Sequence, residues 1–299
     1  METELRQLLN ALPQVADGTG ITQCRPVAGG CCHQAFELQL RDGRRWFAKY
    51  GPFAMLEAEQ RGLAALCQWI DSSCLLVPEP LALVTGASRQ ALLLLPWQQL
   101  ARGDQTLLGR GLARLHQRSA ANGPAERGPG WFGWEWEGYI GLGRQSRGWC
   151  QRWGEAFVQL RLRPQLEAAR QWGLESEPLE PWLQKLSERL EQHHPVAALV
   201  HGDLWGGNAA VLADGRGLVF DPASWWADRE VDLAMTQCFG GFSRAFYRGY
   251  EQEWPLPPGA DRRMEIYNLY HLLNHANLFG GGYRQQCRAI LKQPSSLLW

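Results

Sequence analysis

Three side chains at a particular spacing point to phosphoryl transfer: Asp203, Asn208 and Asp221. Asp203 and Asn208 lie in Val200-His201-Gly202-Asp203-Leu204-Trp205-Gly206-Gly207-Asn208, and Asp221 follows thirteen positions later at the end of an apolar run. A proton acceptor and a metal-bound phosphate must flank the attacking oxygen. Kinase-type enzymes meet that need with an Asp five residues before an Asn and a second Asp beyond a short hairpin, the spacing seen here. In that arrangement Asp203 accepts the hydroxyl proton, while Asn208 and Asp221 offer hard oxygen ligands to magnesium. His-Gly-Asp and Asp-Pro are also ordinary turn chemistry. The joint spacing, framed by apolar segments at 196–200 and 218–220, favours a site.

One rigid loop positions such a constellation best. Gly202, Gly206 and Gly207 admit backbone conformations closed to other residues, and Val211-Leu212 and Leu218-Val219-Phe220 read as two short strands around an Asp214-Gly215 turn. The phosphates need a partner, which the amino-terminal third offers. There Gly29 and Gly30 open a hairpin candidate whose backbone N–H groups suit phosphate oxygens, and residues 45–50 read as its second strand. Lys49 sits on that strand, one of only three lysines in a chain whose other basic residues are all arginine. A compact ammonium suits a triphosphate as a point charge. From Phe53 to Ile70 apolar residues recur in helical register. Glu59 falls on or beside the inward stripe, where a carboxylate is costly unless it meets a cation. An ion pair with Lys49 is therefore expected, with Glu57 as the competing partner.

With these motifs the chain resembles a fructosamine kinase, or ketosamine-3-kinase. The resemblance runs over nearly the whole length, through Phe47-Ala48-Lys49, Glu57-Ala58-Glu59, Leu112-Ala113-Arg114-Leu115-His116, the 201–208 loop and Asp221-Pro222-Ala223. It continues through residues 228–235, Phe239-Gly240-Gly241-Phe242 and Tyr270-His271-Leu272-Leu273-Asn274-His275. The last two blocks are the most specific, because aminoglycoside and choline phosphotransferases share the catalytic loop. The resemblance implies an α+β, two-lobed protein-kinase-like fold that binds ATP and Mg2+ in its cleft and phosphorylates the 3-hydroxyl of a ketosamine, so that the sugar is lost. It implies Asp203 as base, Asn208 and Asp221 as metal ligands, Lys49 with Glu59 as the phosphate-positioning pair, and Leu95 and Trp97 beside the adenine. Two positions depart from the family pattern: Leu92-Leu93-Leu94-Leu95-Pro96-Trp97 lacks an acidic residue where the lobes join, and Arg147 stands where Asn is usual.

At 299 residues, 45% of them hydrophobic, the chain can bury the cores of two lobes. A small β-rich nucleotide-binding lobe is expected over 1–96 and a larger, mainly helical lobe with the acceptor site over 97–299. Thirty basic against thirty acidic residues suggest no nucleic-acid partner. No signal-peptide layout or membrane-length apolar run is visible, so a cytoplasmic protein is expected. The eight cysteines lack zinc spacing and suit a reducing compartment. Cys67 and Cys238 read as core residues, whereas Cys31 and Cys32, in the phosphate hairpin, are candidates for a redox switch, leaving a monomer or a thiol-linked dimer open. A helix is expected around Leu108 to His116 and another from Trp149 to Trp172, bent at Pro164. Residues 122–148, rich in Gly and Trp, read as a long loop. Trp205 and Trp226 are the candidate acceptor-binding aromatics, against core packing as the plainer role. His201 and Asp232 read as supports of the catalytic loop, and His271, Asn274 and His275 as a buried polar face of a late helix. The competing readings are another small-molecule phosphotransferase of this fold and a pseudokinase.

Overall fold

A computed structural model describes residues 7–9, 12, 20–28, 33–86, 88–175 and 179–294. The first part of the chain builds an antiparallel five-stranded sheet from β1 (Ile21–Val27), β2 (Gln34–Leu40), β3 (Arg45–Pro52), β5 (Ala82–Thr85) and β6 (Gln90–Pro96), in the order β1-β2-β3-β6-β5. The short strand β4 (Leu75–Leu76) lies outside this sheet. Four consecutive leucines fit the central strand β6 because both of its faces are covered. Leu92 and Leu94 join a core with Leu38, Trp46 and Ala48, while Leu93 and Leu95 face the helix α1 (Phe53–Cys67) and the rest of the protein. Helix α1 buries Leu56, Glu59, Leu63 and Leu66, the predicted stripe. It ends earlier than its apolar pattern suggests, since the Gln68 and Trp69 amides turn back to Ala65 and Leu66 and Ile70 lies beyond the helix.

After β7 (Leu100–Ala101) helices dominate: α2 (Thr106–Asn122), α3 (Trp153–Phe157), α4 (Arg163–Ala169), α5 (Glu180–Glu191), α6 (Glu230–Cys238), α7 (Arg244–Glu253), α8 (Ala260–Phe279) and α9 (Gly281–Leu291). The expected two-lobed α+β architecture is the observed one. Helix α2 runs well past His116, burying Ser119 and Ala120 in the same register. Between α3 and α4, Val158–Leu162 forms a π-helical turn. Pro164 is its local cause: with no N–H it leaves the Leu160 carbonyl without the usual helical donor.

Residues 122–148, whose composition suggests a long loop, contain regular structure. They carry β8 (Phe132–Trp134) and the hairpin β9 (Gly138–Ile140) with β10 (Gly143–Gln145), and they lead into β11 (Gly148–Cys150). Strands β11 and β8 join β15 (Trp225–Asp228) and β12 (Ala197–Val200) in one sheet of order β11-β8-β15-β12. The last sheet, β4-β14-β13-β7, contains the predicted hairpin of β13 (Ala209–Leu212) and β14 (Gly217–Val219). Two contacts bring α1 and the following turn to the larger lobe. The Arg61 guanidinium stacks 4.7 Å over Trp136, and Trp69 meets Trp226 edge-on at 6.4 Å.

Candidate active site

Lys49, on β3 opposite Leu93, is buried and reaches two carboxylates. Its Nζ lies 2.8 Å from Glu59 Oε1 and 2.6 Å from Asp221 Oδ1. Glu57 is excluded as the partner because it pairs with Arg61 at 2.7 Å, one helical turn on. The approach of α1 to the Asp221 segment depends on Gly62, where a Cβ would meet Pro222 Cγ at 3.1 Å. Asp221 itself has φ +62°, a conformation costly for a non-glycine residue and retained where the surroundings enforce it. The flanking bonds Phe220 N–H to Asn208 O at 3.1 Å and Ala223 N–H to His201 O at 2.9 Å do so.

The loop after β12 brings Asp203 and Asn208 to the same place. Asn208 Nδ2 donates to Asp203 O at 2.9 Å and to Asp203 Oδ2 at 3.1 Å, with a longer contact to Asp221 O at 3.4 Å. Gly202 is required, because its φ is +83° and a Cβ would stand 2.1 Å from Ala223 O. Below the loop, Asp232 in the first turn of α6 accepts the His201 N–H at 2.7 Å and the Gly202 N–H at 2.8 Å. It also accepts from His116 Nε2 at 3.1 Å, which leaves His116 Nδ1 to accept from the Tyr250 hydroxyl at 2.9 Å. His201 Nε2 donates to Phe220 O at 2.9 Å, and its Nδ1 receives the Asp203 N–H at 3.3 Å. His201 thus holds the loop from below, in line with the supporting role read from its position. Gly206 packs on Gly240-Gly241, with Gly206 N–H bonded to Gly240 O at 3.2 Å.

Burial and the nearby Asp221 charge push the Asp203 carboxyl up to about 7, against the opposing hydrogen bond from Asn208. Burial likewise raises Glu59, and Lys49 resists that rise. For Lys49 burial is outweighed by its two carboxylates, which hold the ammonium above its ordinary value, and for Asp221 burial is outweighed by Lys49, which holds the carboxyl below its own. The Asp221 carboxylate and the Asn208 amide oxygen are hard donors suited to Mg2+. Asn208 spends its Nδ2 on Asp203 and Asp221, and its Oδ1 accepts no hydrogen bond among the described residues. Asp221 binds Lys49 through Oδ1 alone and keeps a side chain 40% exposed. The residues present therefore fit the ion.

The model of the family described as fructosamine kinase matches residues 1–296. The chain belongs to the fructosamine kinase family. A Synechocystis protein described as a ketoamine kinase is 39% identical over 291 residues, covering 94% of each chain. The mouse ketosamine-3-kinase is 32% identical across 99% of this chain and 100% of its own. Among solved structures, one described as a fructosamine-3-kinase from Haemophilus somnus superposes with a TM-score of 0.81 at 25% identity, covering 98% of this chain and 97% of that one. At the level of fold alone, an aminoglycoside phosphotransferase bound to AMP-PNP and hygromycin B superposes with a TM-score of 0.63 at 14% identity, over 98% and 99% of the two chains.

Other expected family positions are less uniform. Trp205 is 41% exposed beside Asp203, its ring lying over Gly207. Trp226 is 5% exposed and turned against Trp69, so it is core packing rather than cleft surface; both faces of β15 are covered, so Trp225 and Trp226 are buried alike. Leu95 is buried on β6, and the Trp97 N–H is taken by Arg45 O at 3.2 Å, so that amide is not free for adenine. Gly29, Gly30, Cys31 and Cys32 lie outside the described residues. Arg147 is exposed between β10 and β11. Cys67 and Cys238 are partly buried, which pushes both thiols up to about 11. Sequence reasoning passed over His33, whose Nε2 is buried without a partner among the described residues and whose ring feels the charges of Lys49 and Asp221. Its position at the end of the glycine turn was the only signal.

Proposed function

We propose that this chain transfers the terminal phosphoryl group of ATP to the 3-hydroxyl of a ketosamine. The observation that carries the reading is the convergence of Lys49, Asp203, Asn208 and Asp221, drawn from strands and loops far apart in sequence. Asp203 orients the acceptor hydroxyl and takes its proton as the oxygen–phosphorus bond forms, and the bond to the ADP oxygen breaks in the same displacement. A carboxyl raised toward neutrality is suited to accept that proton, because general bases work best near the ambient pH. Lys49 keeps Glu59 and exchanges Asp221 for phosphate oxygens when ATP enters. Bound magnesium would neutralise charge developing on the phosphates, held by Asn208 and Asp221. Trp205 offers an exposed ring beside the acceptor. Trp97, its amide already committed, would meet the nucleotide through its ring or carbonyl. The relatives described as ketosamine-3-kinase and protein-ribulosamine 3-kinase support the acceptor class.

The test is ATP consumption with magnesium in the presence of fructosyl-, ribulosyl- and erythrulosyl-amines, alongside kanamycin and choline. Ketosamine-stimulated turnover that disappears in Asp203→Ala is expected. Turnover of only kanamycin or choline, or undiminished turnover by the variant, would overturn the reading.

A further inference from the structure

Arg161, in the π-helical turn between α3 and α4, is 3% exposed and forms no ion pair among the described residues. Its Nη1 donates to Ser146 O and to the Leu160 carbonyl freed by Pro164, both at 2.9 Å, and its guanidinium stacks 3.8 Å over Trp225. Its Nε is buried without a partner, and Nη2 makes no hydrogen bond among the described residues. Among the described residues the other two buried arginines are provided for: Arg263 forks onto Glu230 with two bonds of 2.7 Å, and Arg229 donates to Tyr250, Trp254 and Pro255. Burial draws the Arg161 pKa down to about 10, which leaves it charged at neutral pH. A buried cation without a counter-ion opposes folding, so its retention calls for an anion that arrives later.

The guanidinium lies against Trp225, which pairs on β15 with Val200, three residues before Asp203. The Tyr270 phenol feels both the Arg161 charge and the Asp203 carboxylate, and it donates to Gln145 Oε1. His271, the next residue, is fully buried with neither ring nitrogen partnered among the described residues, and it too feels Arg161. Unmet hydrogen-bonding capacity and uncompensated positive charge thus gather next to the strand pair that leads into the 201–208 loop.

We propose that Arg161 binds a carboxylate of the acceptor, so that the preferred substrates are ketosamines of free amino acids rather than of protein side chains. The inference rests on the ketosamine reading above. A guanidinium pairs with a carboxylate through two parallel N–H donors, and Nε with Nη2 is such an edge.

The test compares the ketosamine of glycine with that of methylamine, the same molecule without its carboxylate, on one sugar. The wild-type enzyme should show kcat/KM roughly tenfold or more in favour of the glycine compound, the discrimination expected of one charge-assisted contact. In Arg161→Met that ratio should fall towards one, mainly through KM, and Arg161→Lys should restore part of it. The Met variant should melt at or above the wild-type temperature, because it removes an uncompensated charge. Equal use of both compounds by the wild type, a ratio unchanged in the Met variant, or an earlier melt would overturn the proposal while leaving the kinase reading intact. Turnover of neither compound, with turnover of kanamycin or choline, would overturn both.

Discussion

Replacing Asp232 by Asn changes one atom and tests whether the catalytic loop is held from below. The carboxylate accepts two backbone N–H groups through different oxygens, Gly202 on Oδ1 and His201 on Oδ2, and His116 shares Oδ2. Burial opposes the Asp232 charge, but His116 and the Gly202 amide hold its carboxyl below the ordinary range. An amide has a single oxygen. Whichever way it turns, one backbone N–H loses its acceptor and faces an NH2 group, in a site with no water-accessible surface. An unsatisfied buried donor costs ~1–3 kcal/mol, and the remaining bonds lose their charge assistance, so a destabilisation of about 2–4 kcal/mol is expected. That is a large share of the ~5–15 kcal/mol typical of folded proteins. Urea titration reads this term, and steady-state kinetics should show kcat reduced roughly 10- to 100-fold as Asp203, one residue beyond Gly202, loses its aim. A variant as stable as the wild type, within about 0.5 kcal/mol, would refute the anchoring argument even if its kcat fell.

Glu59→Gln should lower kcat by roughly 10- to 100-fold by freeing the Lys49 ammonium, whereas Glu57→Gln should leave steady-state constants within about twofold, since Glu57 holds only a partly exposed Arg61 pair. Trp205→Ala should raise the acceptor KM with little change in that for ATP, while Trp226→Ala should cost about 3–5 kcal/mol of stability as a core truncation; a selective KM effect from Trp226 instead would return it to the cleft. His271 has its pKa pushed to about 3 by burial, aided by the charges of His275 and Arg161, from an ordinary value of 6.5. The unfolded chain therefore binds the extra proton first as pH falls below about 6.5. Stability contributed by neutral His271 is lost on acidification, by up to about 1.4 kcal/mol per pH unit. His271→Phe should flatten the stability profile between about pH 6.5 and 5, and an unchanged slope in urea titrations would count against it.

The chemistry-bearing part of the site was legible because it depends on local constraints. Glu59 stood out as a carboxylate on an apolar helical stripe, Lys49 as a rare lysine on a strand, and Asp203, Asn208 and Asp221 as a fixed spacing around a turn. What escaped sequence reading depends on tertiary context. Strands of two or three residues such as β4 and β8–β11 have no period to detect. Trp226 and Trp205 are the same residue type, and only the fold puts one on a strand buried along its whole length and the other on an open loop. Arg161 carried no signal of its own among so many arginines; the one clue was a proline three positions later. Helix α1 stopped short of Ile70 because closing bonds at Gln68 and Trp69 outweighed a continuing apolar pattern.

The catalytic hairpin takes its outer neighbour from upstream of the lobe crossover. Strand β14 lies parallel to β4, with Gly217 opposite Leu75, while Gly217 N–H bonds Cys74 O at 2.8 Å and Arg216 Nη1 reaches Ser72 O at 3.1 Å. A polypeptide severed after Pro96 would consequently carry an open edge in its second piece and an orphaned segment in its first. Such halves are poor candidates for modular exchange between relatives. Co-expressed they should reassemble into working enzyme, and produced separately each should precipitate.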